Sequence, residues 1–144
     1  MGDSMGKIIS GFSNIGKSSL KKYKDISVID FDTGYFRKDD GWVDMYIECL
    51  LALQEKYDYV LITTYMEVLE ELNRRNIEYY LIYPERELKE EYRTRAISRG
   101  SEDEFVSGFF SRWDRHISDC ERIKAPHKFQ LNSNEYLSDI IDKL

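Results

Sequence analysis

Residues 11–19 read Gly-Phe-Ser-Asn-Ile-Gly-Lys-Ser-Ser, and the first eight of them fit the pattern G-x-x-x-x-G-K-[ST] without departure. The stretch follows the short apolar run Ile8-Ile9 and leads into Leu20, which is the strand, loop and helix context that this pattern requires. The glycines let the backbone curl until successive N–H groups converge on one anion, and a helix beginning near Lys17 adds the positive end of its dipole. The stretch therefore predicts a phosphate-binding loop around which the rest of the chain is organised.

The residues of this loop predict a nucleotide site. Lys17 is expected to reach the terminal phosphates of a nucleotide, and the hydroxyl of Ser18 is expected to hold Mg²⁺. The predicted nucleotide-binding residues are Gly11, Ser13, Asn14, Ile15, Gly16, Lys17, Ser18 and Ser19. The alternative interpretation is a glycine- and serine-rich turn that opens a helix, but such a turn does not need lysine and serine at those two places.

Length and composition predict one soluble, cytoplasmic domain. The 144 residues suffice for one compact core and are too few for two ordinary domains, so 1–144 is taken as a single unit, with residues 1–5 expected to be disordered or foreign to it. The 21 basic and 27 acidic residues give a formal charge of −6, which argues against a general role at nucleic acids or membrane surfaces. No apolar run approaches the ~20 residues that span a bilayer, and the amino terminus has no signal-peptide core.

Predicted strands alternate with predicted helices along the chain. Apolar and β-branched runs predict strands at residues 7–11, 26–32, 57–63, 78–83 and 128–131. Apolar spacing and end signals predict helices at 17–23, 42–56, 64–75, 85–99, 101–120 and 137–144, with capping boxes at Thr64 and Ser101 and a terminating Gly100. Cys49 and Cys120 lie on these helices and are read as buried thiols. The alternation predicts a three-layer α/β/α fold, with a parallel sheet of about five strands covered by helices on both faces.

Two acids close the second predicted strand. Asp30 and Asp32 are two residues apart, so a strand would point both side chains to one side, and Thr33-Gly34 then breaks the run. Ligands bind at the carboxyl ends of strands in open α/β sheets, where such an acid can hold a metal's water or take a proton from an attacking hydroxyl. The alternative is a strand-end turn, where aspartate is common. Arg37 is a candidate clamp for an acceptor's acid group, although a polar loop often contains the same residue types.

The phosphate loop, the Asp-x-Asp of residues 30–32 and an arginine-bearing helical corner before the last strand together resemble the P-loop nucleoside and nucleotide kinases, including the shikimate-kinase-like branch. The order of elements is similar over about residues 7–144, and the small size resembles that of phage-encoded deoxynucleotide kinases. The resemblance implies a phosphotransferase that uses ATP and Mg²⁺, with Lys17 and Ser18 on triphosphate and metal, Asp30 in the metal shell and Asp32 at the acceptor. One departure is the end of the third strand, Ile62-Thr63-Thr64, where many P-loop proteins carry an aspartate.

The charged stretch 85–99 resembles the lid of these kinases. Arg95 and Arg99 are four residues apart, so both guanidinium groups project from one helical face beside Gly100, where they can neutralise charge on a phosphoryl group in transit. With Lys17 and Asp32 they form the predicted catalytic set. The alternative is a solvated face with local pairs such as Glu91–Arg95. Residues 132–134, Asn-Ser-Asn, are placed where related kinases cradle adenine, or they cap the final helix.

The leading hypothesis is therefore a kinase for a small acceptor, most of all a nucleoside or a deoxynucleoside monophosphate. The first alternative is a nucleotide-binding regulator or an NTPase without small-molecule kinase activity. A GTPase is a further alternative because the loop sequence resembles that of small GTP-binding proteins. The sequence has no Asn-Lys-x-Asp motif, however, which such proteins use to recognise guanine. A polynucleotide end kinase is disfavoured by the acidic charge. The acceptor, the base and the oligomeric state stay open at this point.

Overall fold

A five-stranded parallel sheet forms the centre of the computed structural model, which describes residues 5–22 and 25–144 apart from the side chains of Ser18, Lys21, Lys22 and Tyr35. The strands are Lys7–Gly11 (β1), Val28–Asp30 (β2), Tyr59–Ile62 (β3), Tyr80–Pro84 (β4) and His127–Leu131 (β5). Their order is β2-β3-β1-β4-β5, so β1 is the middle strand and pairs in parallel with both β3 and β4. The sheet therefore places the start of the phosphate loop at the centre of its carboxyl edge.

Helices connect the strands and cover both faces of the sheet. The described α-helices are Trp42–Gln54 (α1), Met66–Arg74 (α2), Lys89–Ser98 (α3), Asp103–Ser111 (α4), Trp113–Arg122 (α5) and Leu137–Ile140 (α6), and short 3-10 helices are Lys17–Lys22, Thr33–Tyr35, Arg86–Leu88 and Ile141–Lys143. α1 packs against α2, and α6 packs against the 3-10 helix that follows the phosphate loop. The right-handed rule for parallel crossovers places these two pairs on opposite faces of the sheet. The predicted α/β fold with a five-stranded parallel sheet is confirmed. None of the described helices has the length and apolar character needed to cross a bilayer.

The central strands are buried on both sides. Ile8 and Ile9 of β1 are at most 1% exposed, and Val60 and Leu61 of β3 are fully buried. Successive side chains of a strand point to opposite faces of the sheet. Both faces are therefore packed against helices, which is why the strands read as continuous apolar runs and not as an alternating pattern.

Two elements near the phosphate loop differ from the prediction. The second strand ends at Asp30 and not at Asp32, and Asp32 instead serves as the N-cap of the 3-10 helix Thr33–Tyr35. The two acids are therefore not neighbours on one face of a strand. The helix expected at 17–23 is a 3-10 helix at Lys17–Lys22, with residue 23 outside the described residues. A helix of six residues contributes a smaller dipole than a full α-helix, so the loop's own N–H groups carry more of the anion binding.

The predicted helix at 101–120 is two helices. The backbone leaves helical geometry at Arg112, with φ −108° and ψ 14°, and this break shifts the buried stripe. The apolar spacing within residues 101–120 predicts one stripe that contains Phe105, Phe109 and Trp113. α4 instead buries Val106 and Phe110, and Phe105 is 48% exposed. Gly100 ends α3 as predicted, with φ +83°, and the N–H groups of Gly100 and Ser101 bond back to the carbonyls of residues 97 and 96.

Three smaller predictions are wrong. Neither capping box forms, because α2 and α4 begin one or two residues later than expected, at N-caps Tyr65 and Glu102 that make no side-chain cap hydrogen bond. Cys49 is exposed, whereas Cys120 is buried as predicted. The final helix has Tyr136 as its N-cap, so residues 132–134 do not cap it.

Candidate functional site

The phosphate loop is pinned at both ends and leaves its middle N–H groups free. Phe12 N donates to Ile82 O at 2.9 Å, and Ile15 O accepts from Leu137 N at 2.9 Å. Asn14 and Gly16 lie in the left-handed region with φ +68° and +94°, so the backbone alternates its direction through the loop. Within the described residues, no protein acceptor bonds to the N–H groups of residues 13–17. A run of free backbone donors in a loop with alternating backbone direction is the arrangement that forms a cradle for an anion.

Both motif glycines lie in close contact with neighbouring side chains. A Cβ added to Gly11 would lie 2.7 Å from Cδ1 of Ile15, so that side chain would have to shift. Gly16 has a left-handed φ and would also bring a Cβ to 3.0 Å from the ring of Tyr136. Of the two positions, Gly16 is therefore the one at which the backbone conformation itself favours glycine.

Lys17 and Asp30 face the same cavity, which has a volume of about 630 Å³. Lys17 is half-buried, and its Nζ donates to Gly11 O at 2.7 Å, so its charge sits directly at the loop. Burial lowers the pKa of Lys17, and the nearby charge of Asp30 partly opposes that effect. The cavity is lined by Asn14, Gly16, Lys17, Ser19, Asp30, Glu91, Thr94, Arg95, Ser98, Arg99, Asn134 and Tyr136.

The two predicted lid arginines both bond to Asn14 of the loop. Arg95 Nη1 donates to the backbone oxygen of Asn14 at 2.9 Å, and Arg99 Nη1 donates to Asn14 Oδ1 at 2.6 Å. Arg95 is 9% exposed at its side chain and lies 4.3 Å and 3.8 Å from the ring centroids of Tyr92 and Tyr136. The structure thus brings the end of α3 onto the phosphate loop, on the same helical face that the spacing predicted.

Glu91 ties this helix to the turn after β5. Its carboxylate accepts from Ser133 Oγ at 2.7 Å, from Asn134 N at 2.8 Å and from Arg95 Nη2 at 3.0 Å. Burial alone would raise the pKa of Glu91, but the hydrogen bonds from Ser133 and Asn134 and the charge of Arg95 lower it overall. Glu91 therefore acts as a charged anchor and is not free to act as a base.

The other predicted site residues lie away from this cavity. Asp32 is exposed, and its Oδ1 accepts a hydrogen bond from Gly34 N at 2.6 Å. Its negative charge has a small raising effect on the pKa of Lys17. Arg37 is exposed and does not line the cavity. Ser13 lines a separate shallow cavity of about 330 Å³, together with Arg99, Ser101, Glu102 and Phe105. The side chain of Ser18 lies outside the described ones, so its role stays a prediction.

Sequence reasoning missed several residues of the cavity wall. The sequence predicts Glu91 only as a local partner of Arg95 and predicts no role for Tyr136. Tyr136 lies on Gly16 and beside Arg95, contacts between residues far apart in sequence that leave no local pattern. Asn134 has a left-handed φ of +62° and lines the cavity, so a role beside an adenine ring stays a prediction.

The described residues fit a magnesium ion that a nucleotide brings with it. They contain no group of three His, Cys, Asp or Glu side chains that could hold a metal alone. Mg²⁺ is usually bound through one or two protein groups together with substrate phosphates and water. The backbone of Asp30 is paired with β3, and its carboxylate, which has no hydrogen-bond partner among the described residues, offers one such group in the cavity.

Comparisons with known proteins agree with this architecture. No protein-family model and no curated protein matches the sequence. Among solved structures, the shikimate kinase from Bacteroides thetaiotaomicron matches with a TM-score of 0.51 and 18% sequence identity, over 88% of this chain and 86% of that one. At this identity the likeness concerns the fold and not the substrate. Together with the five-stranded parallel sheet and the loop at the end of its middle strand, the match shows that this chain has a P-loop kinase-like fold.

Proposed function

We propose that the protein is an ATP- and Mg²⁺-dependent phosphotransferase, most specifically a small kinase for a nucleoside or deoxynucleoside monophosphate. The observation that carries the proposal is that Asn14 and Gly16 of the loop, Lys17, Asp30 and two arginines line one cavity. Its volume of about 630 Å³ is that of a small-molecule site. The cytoplasmic location expected from the sequence is part of this proposal.

Each residue has a role that phosphoryl transfer requires. Positioning and electrostatic stabilisation supply most of the catalysis in this reaction class, and bound Mg·ATP brings the phosphoryl group and charge neutralisation. The cradle of residues 13–17 holds the phosphate chain and Lys17 reaches its terminal oxygens. Asp30 is assigned to the metal side together with Ser18, while Asp32 and Arg37 are assigned to the acceptor.

The arginines complete the proposed machinery. Arg99 makes one described hydrogen bond, to Asn14, and can turn to a phosphoryl group without breaking other contacts. Arg95 is held by Asn14, Glu91 and Glu135, and so positions the loop as well as supplying charge. Positive charge at this place stabilises the charge that develops on the transferred group.

The same contacts favour a second candidate, a nucleotide-binding regulator or an NTPase without small-molecule kinase activity. Both arginines are hydrogen-bonded to the loop, Asp32 accepts a hydrogen bond from Gly34, and β3 is followed by Thr63 at a place where many P-loop proteins carry an aspartate. Screening radiolabelled ATP against nucleosides, nucleoside monophosphates and shikimate-like compounds separates the two. Transfer to any of them supports the kinase, and ATP binding without transfer to any of them supports the regulator.

Nucleotide binding itself is tested by thermal unfolding. Mg·ATP at a hundredfold excess over its dissociation constant should stabilise the wild type by about 2.7 kcal/mol. Lys17→Met keeps the aliphatic stem that packs on Gly11 but removes the charge, so most of that shift should vanish. Lys56→Met, at an exposed residue after α1, is the matched control and should keep the shift. A wild type that does not respond to Mg·ATP, Mg·GTP or the diphosphates at millimolar levels would remove the basis of the proposal.

A further inference from the structure

Asn14 is a buried polar side chain within the phosphate loop. It is 6% exposed, has a left-handed φ of +68° and lines the cavity that Lys17 and Asp30 share. The two other described non-glycine residues with positive φ are also asparagines, Asn76 and Asn134, but both are exposed. Backbone conformation explains an asparagine at all three positions, but it does not explain why this one is buried.

The hydrogen bond with Arg99 fixes the orientation of the Asn14 amide. Arg99 can only donate, so the atom 2.6 Å from its Nη1 must be the amide oxygen. The amide nitrogen, Nδ2, then faces away from Arg99. In the described part of the chain it is closed to solvent and has no hydrogen-bond partner. Buried donors are almost always paired, so an unpaired one beside an anion cradle needs an explanation.

We propose that the side chain of Asn14 binds the phosphate chain, with Nδ2 donating a hydrogen bond to a phosphoryl oxygen of the bound nucleotide. The proposal rests on the proposed function, since it needs a nucleotide in this cavity. The chemistry selects an anion, because an amide nitrogen donates and binds no cation, while the amide oxygen is already engaged by Arg99. The free N–H groups of residues 13–17 supply the neighbouring donors.

The same residue links nucleotide binding to the end of α3. Arg95 bonds to the backbone oxygen of Asn14 and Arg99 bonds to its side chain, so both arginines cover the residue. Because Nδ2 is closed to solvent, a phosphoryl oxygen reaches it only when neighbouring atoms move. Phosphate bound at Nδ2 would therefore lie on the same residue to which both arginines are bonded.

Two substitutions separate the side-chain donor from the backbone conformation. Asn14→Gly keeps the left-handed φ and removes the amide, and Asn14→Asp keeps the size and the acceptor for Arg99 but replaces the donor with a carboxylate oxygen. Asn76→Gly and Asn76→Asp are matched controls in an exposed turn between α2 and β4, with φ +58°. Affinity for Mg·ATP and Mg·ADP is measured by calorimetric titration, and the melting temperature without nucleotide reports the fold.

The expected losses follow from the chemistry of one hydrogen bond to a charged group. Asn14→Gly should bind both nucleotides about tenfold or more weakly, and Asn14→Asp about a hundredfold or more weakly because its charge also repels phosphate. The Asn76 variants should stay within about twofold of wild type. The melting temperature of Asn14→Asp without nucleotide shows whether the fold tolerates the buried carboxylate, which keeps Arg99 as the partner of one oxygen.

The inference and the proposed function fail in different ways. If the wild type binds nucleotide and Asn14→Gly binds it within about twofold of wild type, the side chain does not read phosphate and the inference is overturned. Should Asn14→Gly fail to fold, Asn14→Asp decides by the same criterion. If the wild type binds neither nucleotide, the proposed function is wrong and the inference falls with it.

Discussion

At the scale of single residues, Asp30 at the end of β2 and Asp32 two positions later are both exposed but have different neighbours. Asp30 ends the strand and faces the cavity beside Lys17. Asp32 is exposed and closes a turn through its hydrogen bond from Gly34 N. Asp32 therefore closes a turn after the strand, which is the alternative role considered from the sequence. Its role at the acceptor stays a prediction.

Substitution of each acid by asparagine separates the two proposed roles. Asp30→Asn should raise the Mg²⁺ concentration needed for half-maximal activity. Asp32→Asn keeps an oxygen for Gly34 N, so it should fold and bind Mg·ATP as wild type does, yet transfer phosphate about 10²–10⁴ times more slowly, as expected for loss of a positioned base. Turnover with the best acceptor, nucleotide affinity and the magnesium dependence are the measurements.

Asp40→Asn, at an exposed loop position, is the control for loss of one negative charge near the acids. It should leave turnover and magnesium dependence unchanged. Near-normal turnover of Asp32→Asn on every accepted substrate would show that this residue only closes its turn. The proton-accepting role would then have to be assigned to another group.

At the scale of elements, α3 presents two arginines to the phosphate loop with different attachments. Arg95 is almost fully covered, lies between two tyrosine rings and bonds to Asn14, Glu91 and Glu135. Arg99 has a single described hydrogen bond, to the Asn14 side chain. The carboxyl end of α3 therefore has one arginine within the helix, Arg95, that holds the helix in place, and one at the C-cap, Arg99, whose single described hydrogen bond leaves it able to turn to a ligand.

This difference predicts two separable phenotypes. Arg99→Gln should lower turnover while the melting temperature and Mg·ATP affinity stay near wild type, because the charge acts on the transition state. Arg95→Gln should lower turnover and also destabilise the fold, because the carboxylate of Glu91 would lose a charged partner, worth about 1.5–3 kcal/mol. Turnover, titration calorimetry and thermal unfolding of both variants are compared.

Arg93→Gln is the control on the same helix, since Arg93 contacts Glu90 and the ring of Phe110 and not the loop. It should leave turnover and nucleotide affinity unchanged. Equal losses of affinity and turnover in Arg99→Gln would show that this arginine binds the ground state. If neither affinity nor turnover falls, Arg99 has no role at the site and only belongs to a solvated helical face, which is the alternative considered from the sequence.

The elements also show which local signals were reliable. The motif and the runs of apolar and aromatic residues predicted all five strands, because buried strands of a parallel sheet need such runs. The helix ends were less well predicted. Thr64 and Ser101 each begin the sequence pattern of a capping box, yet the two helices start later. The break at Arg112 has no proline or glycine beside it that would predict it. Tertiary packing decides such boundaries.

At the scale of the whole molecule, the fold was predictable and the cavity wall was only partly so. A strand, a phosphate loop and alternating helices predicted the parallel sheet, since these patterns are local. The contacts of Glu91 with Ser133 and Asn134 join residues more than forty positions apart, and no periodicity reports them. The same holds for the ring of Tyr136 against Arg95 and Gly16.

One long-range connection joins the phosphate loop to the helical layer beside it. Phe12, the second residue of the motif, is 1% exposed and its ring meets those of Tyr92, Phe109 and Trp113 edge-on at 6.5, 5.5 and 5.4 Å between centroids. These three rings belong to α3, α4 and α5 in turn. The loop is therefore seated in an aromatic cluster built by all three helices between β4 and β5, and edge-to-face rings pack favourably.

Removal of that ring should weaken the whole molecule as well as the nucleotide site. Phe12→Ala leaves a cavity among the three helices and should lower the free energy of unfolding by about 3–5 kcal/mol. Phe105→Ala, at a ring 48% exposed on the edge of the same cluster, is the control and should cost far less stability.

Urea unfolding gives both values, and calorimetric titration with Mg·ATP shows whether the loop of folded Phe12→Ala still binds nucleotide. Because Phe12 N is also bonded to Ile82 O, the backbone stays anchored to β4, so the affinity should fall without being abolished. If Phe12→Ala costs no more stability than Phe105→Ala, the helical layer does not depend on this ring, and loop and helices would have to be treated as independent units.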